Sequence, residues 1–401
     1  MNPDGKLLRL VVVVGVASGL VAAAYIGALH VVERLLGPEH WGDAAHLGVL
    51  AVVGAAIGGL TLVLGSPGDV ELLVDNIHVA GGPEDIRNLR TLVPVSLLGI
   101  GAGSAIGPEA PLVQTTGSIG AWLAHRNGLQ PDELRVLTIT GMAAGFTVLF
   151  GVPLGGAIFA LEILHRRGLQ YYEALLPSAI GALVGYVVYT LVRGAGMGPV
   201  WDFPAAHRLE PSDFLVGLGA GVGGAVVAIG FTYLTVGLRW AFHQLPALAR
   251  PVAGGLVLGG LAFLSSYALT FGEGQIDTVM ATKLGVGTLL LAAAGKFVAS
   301  SAMASSGWRG GFIIPLFFLG VALGSVASRE LHTDLVVTVA ALMAACNVGV
   351  TKTPFGSTLV VTGMAGTALL PTTLLASVVA LLLTSRVGLI ETQRERDPVV
   401  A

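Results

Sequence analysis

Apolar runs long enough to cross a bilayer recur along almost the whole chain, and that property leaves few folds open. Inside a hydrocarbon core every backbone N–H and C=O must be bonded within the protein. Helices of about 20 residues meet that demand one segment at a time, so the chain reads as an all-α polytopic membrane protein. Only 11% of its 401 residues are charged and 54% are hydrophobic, against about a quarter charged in an ordinary soluble domain. The 58 glycines suit close helix packing and interrupted spans. The net charge of −3 suggests no nucleic-acid partner. The one cysteine, Cys346, excludes an intrachain disulfide, and its apolar surroundings predict a buried, inert thiol.

Residues 10–32 form the first run, and Lys6 and Arg9 before it predict a cytoplasmic N-terminus. Residues 46–64, 92–107, 174–192, 214–242, 251–271, 284–303 and 370–384 read as further apolar helices. Between them, 65–90 is a polar stretch holding Ser66, Asp69, Glu71, Asp75, Glu84 and Asp85. Segments 111–123, 134–150, 153–164, 315–326, 335–345 and 355–365 are short; the first would span only about 20 Å as a helix. The cluster His165-Arg166-Arg167, and Arg386, Arg394 and Arg396 in the tail, assign those ends to the cytoplasm. The polar connection 193–213, with Pro199, Trp201, Asp202 and His207, separates a first membrane half, 1–200, from a second, 201–385. A short cytoplasmic tail, 386–401, follows, and no soluble or regulatory domain and no secretory signal is expected.

Gly107-Pro108-Glu109-Ala110-Pro111 interrupts the apolar run 97–124, in which Glu109 is the one charged residue. A carboxylate at that depth costs roughly a few kcal/mol. The glycine and two prolines prevent a continuous helix, and broken backbone survives in a membrane where it is buried in protein or lines a cavity. A Glu at the water interface ahead of an ordinary helix is the competing reading.

The same Gly-to-Pro spacing recurs in Gly311-Phe312-Ile313-Ile314-Pro315. A second break follows each: Pro153 lies 42 residues after Pro111, and Pro354 lies 39 after Pro315. Pro153-Leu154-Gly155 also matches Pro354-Phe355-Gly356. Corresponding interrupted helices in two halves point to a midplane transport site; coincidence among abundant Gly and Pro is the alternative. A helix that starts in mid-membrane aims unpaired N–H groups and a positive dipole end into the gap, which makes an anion site from backbone alone. Four such starts, near Glu109, Gly311, Gly151 and Lys352, are expected to converge, with Gly310 and Gly311 permitting close approach. Glu109 then fills the site when no anion is present, and protonation or a competing anion releases it.

These residues resemble the CLC family of chloride channels and chloride/proton antiporters, over about residues 50–393. The resemblance implies an inverted repeat of many short, tilted and interrupted helices, a homodimer with one pathway per subunit, and a place in the inner or plasma membrane. The family's gating-glutamate signature is similar to Gly107-Pro108-Glu109-Ala110-Pro111, with Pro108 for the usual basic residue and Ala110 for glycine. Its Gly-x-Phe-x-Pro signature is similar to Gly311-Phe312-Ile313-Ile314-Pro315, with the Phe moved by one place. By that similarity the N–H groups of Phe312 and Ile313 hold the central anion, with Gly107, Gly310 and Gly311 as further backbone donors. The first signature falls at Gly65-Ser66-Pro67-Gly68-Asp69, where Ser66 is the coordinating hydroxyl, Pro67 is out of place and Asp69 adds a negative charge. Glu162-Ile163 stands where antiporters often carry two glutamates, so the internal proton acid is missing. Residues 386–393 lack the tyrosine that the family often places on the anion path.

Glu162 itself reads as a helix cap or a partner of His165 or Arg166, and Lys296 as a snorkelling or acid-paired lysine or, less simply, an anion ligand. The nine histidines lack metal-ligand spacing, and no Gly-rich segment follows a strand, so neither metal nor nucleotide cofactor is expected. The reading is transport of a small inorganic anion, chloride in the simplest case, gated by Glu109 and coupled to protons. Ile163 argues for the alternative of an uncoupled voltage- or pH-gated channel; a fluoride-selective exporter is a further variant. The rival from another class is a non-transporting homologue or a membrane-embedded enzyme, but no nucleophile–base pair or paired acids lie at matching depth.

Overall fold

In a computed structural model the described residues are 5–389, except 69–73, 75–76, 79–80, 84–85, 166–170 and 195. Asp69, Glu71, Asp75, Glu84, Asp85, Arg166, Arg167, Arg394 and Arg396 therefore lie outside the described residues. Among the described residues fifteen α-helices follow one another. The first half holds α1 (Gly5–Leu36), α2 (Asp43–Leu64), α3 (Leu89–Gly101), α4 (Glu109–Arg126), α5 (Pro131–Phe150), α6 (Pro153–Glu162) and α7 (Leu175–Arg193). The second holds α8 (Asp213–His243), α9 (Ala249–Ala262), α10 (Glu273–Ala281), α11 (Val286–Ser305), α12 (Ile313–Leu331), α13 (Leu335–Thr351), α14 (Pro354–Ala365) and α15 (Leu370–Thr384). Among the described residues eight helical stretches are long and apolar enough to cross a membrane. Among the described residues there is no strand, and the one isolated bridge joins Gly107 to Gly311.

Packing partners recur between the halves. α1 packs on α5 and α7 as α8 packs on α13 and α15, and α4 lies on α5 as α12 lies on α13. Two further pairs, α2 with α9 and α6 with α14, join one half to the other. The largest buried cluster gathers α5, α6, α12 and α13, where Phe146 and Phe159 lie tilted at 48° with centroids 4.8 Å apart and Phe150 meets Phe317 edge-on at 5.9 Å. Helix ends near the middle of the molecule are thus fixed by large aromatic contacts rather than left to the lipid.

The breaks have local causes. α5 ends on Gly151 in the left-handed region (φ 70°), and α13 ends on Lys352 there too (φ 59°). Gly151 takes that conformation without strain, whereas Lys352 is held by its own Nζ, which donates to Gly349 O at 2.5 Å, Thr384 O at 2.8 Å and Thr384 Oγ1 at 2.7 Å. Proline at the start of α6 and α14 restarts each helix, since it needs no N–H partner there.

Several sequence expectations change. α5 and α12 have 20 and 19 residues and reach spanning length, so 134–150 and 315–326 were read too short. The expected helix 92–107 stops at Gly101, and the chain runs irregularly to Pro108. The expected span 251–271 also breaks: α9 ends at Ala262, a 3-10 turn covers Ser266–Ala268, and a short α10 follows. Lys296 makes that break possible. Its side chain is fully buried on α11 and donates to Leu269 O at 2.8 Å and Thr270 O at 2.5 Å, which replaces the lost helix bonds from another part of the chain. Lys296 does not snorkel and pairs with no acid among the described residues; its Nζ also stands 5.2 Å from the centroid of the Phe318 ring.

Candidate anion pathway

Irregular backbone from Ala102 to Pro108 is satisfied from three sides. His46 Nε2 lies 2.9 Å from Ala102 O, Thr270 N donates to Gly103 O at 2.8 Å, and Ser300 Oγ donates to Ala105 O at 2.8 Å. The strip then meets the matching strip of the other half. Gly107 N donates to Gly311 O and Gly311 N to Gly107 O, each at 2.7 Å. This bridge sets the first turns of α4 and α12 side by side.

Two positive helix ends thus share one place, and Glu109 lies in it. Glu109 is the first residue of α4 and has no solvent exposure. Its Oε1 accepts the N–H of Ile314, in the first turn of α12, at 2.5 Å. Its Oε2 has no hydrogen-bond partner among the described residues. A Cβ on Gly311 would stand 2.8 Å from that oxygen, so the absence of a side chain is what lets the carboxylate in. The first turn of α12 has three N–H groups outside the helix ladder, at Phe312, Ile313 and Ile314, because Pro315 has none. Glu109 takes the third; the N–H groups of Phe312 and Ile313 donate to no described residue.

A cavity of about 440 Å³ opens beside this point. Gly310, Gly311, Phe312, Ile313 and Glu109 line it, as do Ile163, Thr351, Leu389, Thr235, Arg239 and Arg309. Where a second glutamate was looked for, an apolar Ile163 side chain stands. Leu389 occupies part of the stretch in which a tyrosine was looked for.

The predicted site residues are therefore only partly together. Glu109, Gly310, Gly311, Phe312 and Ile313 meet at the cavity, and Gly107 adjoins them through the bridge. That bridge uses the N–H groups of Gly107 and Gly311 on each other, so these two act as a clasp in this conformation, not as open donors. Ser66 is exposed and its Oγ accepts the N–H of Gly68 at 3.4 Å; Gly68, not Ser66, is among the lining residues. The expected meeting of four helix starts also resolves into two pairs. At α14 the donors are taken by Glu162, whose carboxylate accepts the N–H of Gly356 at 2.6 Å and of Phe355 at 3.2 Å. Glu162 is a cap, as expected, but for a helix nearly 200 positions away rather than for its own end, as the separations of 193 and 194 show. Sequence reasoning missed Thr235 and Arg239, although their spacing of four on one helix was there to be seen.

The sequence family described as voltage gated chloride channel matches residues 69–385. The chain belongs to this family. Among its CLC relatives, a "Chloride/fluoride channel protein" of Pseudomonas syringae pv. tomato is 28% identical, over 97% of this chain and 86% of its own length. An "H(+)/Cl(-) exchange transporter ClcA" of Yersinia pseudotuberculosis is 27% identical, over 80% of this chain and 70% of its own. Of solved structures, a CLC-type fluoride/proton antiporter superposes with a TM-score of 0.84 at 22% identity, over 97% of this chain and 98% of that one. A slow cyanobacterial Cl−/H+ antiporter gives 0.82 at 21% identity, over 95% of both. The CLC fold and a multi-pass membrane protein of an anion-transport family are thereby shown.

Proposed function

We propose that this CLC protein carries a small inorganic anion, chloride in the simplest case, through a pathway that the Glu109 side chain opens and closes. The observation behind the reading is the bond from the N–H of Ile314 to Glu109 Oε1 at 2.5 Å, with the Phe312 and Ile313 N–H groups beside it. A carboxylate held there occupies ground that an anion can take. When protonated, Glu109 loses its attraction to two positive helix ends and yields to the anion. The relatives named for chloride/proton and chloride/fluoride transport support anion and proton as substrates.

In this reading the protein is a transporter and not an enzyme, works as a homodimer in the inner or plasma membrane, and has both termini in the cytoplasm. Its two halves are 1–200 and 201–385, with 386–401 as the tail. Ser66 is a ligand only if its loop turns inward. An uncoupled channel is the second reading, favoured by Ile163 on the cavity wall.

Purified protein in chloride-loaded liposomes tests both. Chloride efflux with proton uptake, the uptake lost in Glu109→Gln, is the expected result. Efflux without proton movement in the wild type would select the channel reading. Absence of chloride, nitrate and fluoride flux would overturn transport altogether.

A further inference from the structure

The cavity that Glu109 lines is also lined by basic residues, Arg239, His243, Arg250 and Arg309. Thr235, Arg239 and His243 follow one another at intervals of four along the end of α8, so they share one helix face, and all three line the cavity. Ser305 and Arg309, from the turn between α11 and α12, line it as well. Among the described lining residues Glu109 is the one acid, and it is bonded to Ile314.

These basic groups are not equivalent. Arg250, at the start of α9, donates from Nε to Leu245 O at 3.0 Å and from Nη2 to His243 O at 3.3 Å, while His243 Nδ1 lies 2.7 Å from Arg239 O. Arg250 and His243 thus brace the α8–α9 turn. Arg239 is half-buried, and its guanidinium makes no hydrogen bond or ion pair with any described residue. One turn earlier, Thr235 is fully buried and its Oγ1 has no partner among the described residues. Its carbonyl is already taken by Ser305 Oγ at 2.9 Å, so the orphan group is the hydroxyl alone. A buried hydroxyl and a half-buried guanidinium on one face of a cavity are a donor set without its acceptor.

We propose that Thr235, Arg239 and Arg309 form a second anion subsite, which takes up a monovalent inorganic anion on its way to the first turn of α12. The proposal rests on the transport reading above for its purpose, but not for its chemistry. The hydroxyl and the guanidinium donate to the anion, which passes from side-chain donors to backbone donors without leaving the cavity. A fixed positive wall also raises the local anion concentration, more so at low ionic strength.

Bromide, located by its anomalous scattering in crystals of the whole protein, tests the chemistry directly. A peak among Thr235, Arg239 and Arg309 is expected, lost in Arg239→Gln and weakened in the isosteric Thr235→Val. Liposome flux tests the purpose. Arg239→Gln should raise the half-saturating chloride concentration several-fold, flatten its dependence on ionic strength, and leave the maximal rate and the Glu109-dependent pH response in place. Wild-type crystals without bromide at these residues overturn the proposal, as does an unchanged half-saturating concentration in Arg239→Gln. If wild-type liposomes carry no anion, the transport reading fails by itself, and the crystals still decide the subsite. Thr235→Val keeps the test open should Arg239→Gln not fold.

Discussion

At Gly311 a single methyl group decides whether the Glu109 carboxylate can sit where it does. A Cβ there would lie 2.8 Å from Glu109 Oε2, 2.9 Å from Glu109 Cβ and 3.0 Å from Ala110 N. Backbone and a helix-borne side chain cannot all yield, so Gly311→Ala should expel the carboxylate at a cost of about 1–3 kcal/mol. Flux measured from acid to alkaline pH should then stay high where the wild type falls, and a wild-type profile in the variant would count against the placement of Glu109. A second pH-sensitive group lies outside the spans. His207 bonds through Nε2 to Asp213 and through Nδ1 to Asp334, both at 2.9 Å, and so clamps the starts of α8 and α13 as an imidazolium. The Asp334 carboxylate, and then that of Asp213, hold its pKa above the usual value. The stabilising contribution is therefore complete below the unfolded value of about 6.5 and fades as pH rises through the higher folded one. Melting temperature in detergent should drop across that interval in the wild type, and His207→Gln should flatten the drop. Glu109 was legible because no other charge shares its apolar run; Arg239 was not, because an arginine at the end of a long span looks like an ordinary membrane flank.

Among elements, α14 depends on a cap from far away. Glu162→Ala would strand the N–H groups of Phe355 and Gly356, the second of them buried, with a loss of about 1–3 kcal/mol. Glu162→Gln keeps an acceptor and should cost less, and both variants should keep a pH-dependent flux if the role is a cap. An unfolding midpoint unmoved by Glu162→Ala would contradict it. Lys296 serves a break in the same way. Where Gly and Pro mark an interruption, as at Gly107 and Gly151, the sequence shows it. The end of α9 carries no such mark, because the group that satisfies Leu269 and Thr270 is the Lys296 side chain on another helix. Helix ends set by distant partners are invisible to a reading of local pattern.

For the whole molecule, the two-fold recurrence was readable from proline and glycine spacing, and the packing pairs recur with it. What spacing does not carry is which starts meet. It suggested one four-way junction, whereas Glu162 caps the start of α14, and at the start of α12 the N–H groups of Phe312 and Ile313 donate to no described residue. The halves touch through α2 with α9, α6 with α14, and the paired bonds between Gly107 and Gly311. Fragments 1–200 and 201–401, made together as separate chains, should therefore co-purify and restore flux, while neither alone should. Failure to associate would place the division elsewhere.

The paired bonds between Gly107 and Gly311 carry one more consequence. They rivet the two halves beside Glu109, so the halves cannot rock apart there without losing both links. Under the function proposed above, turnover is the work of one swinging side chain within a stationary frame, and a covalent tie across the halves near that rivet should leave the transport rate intact.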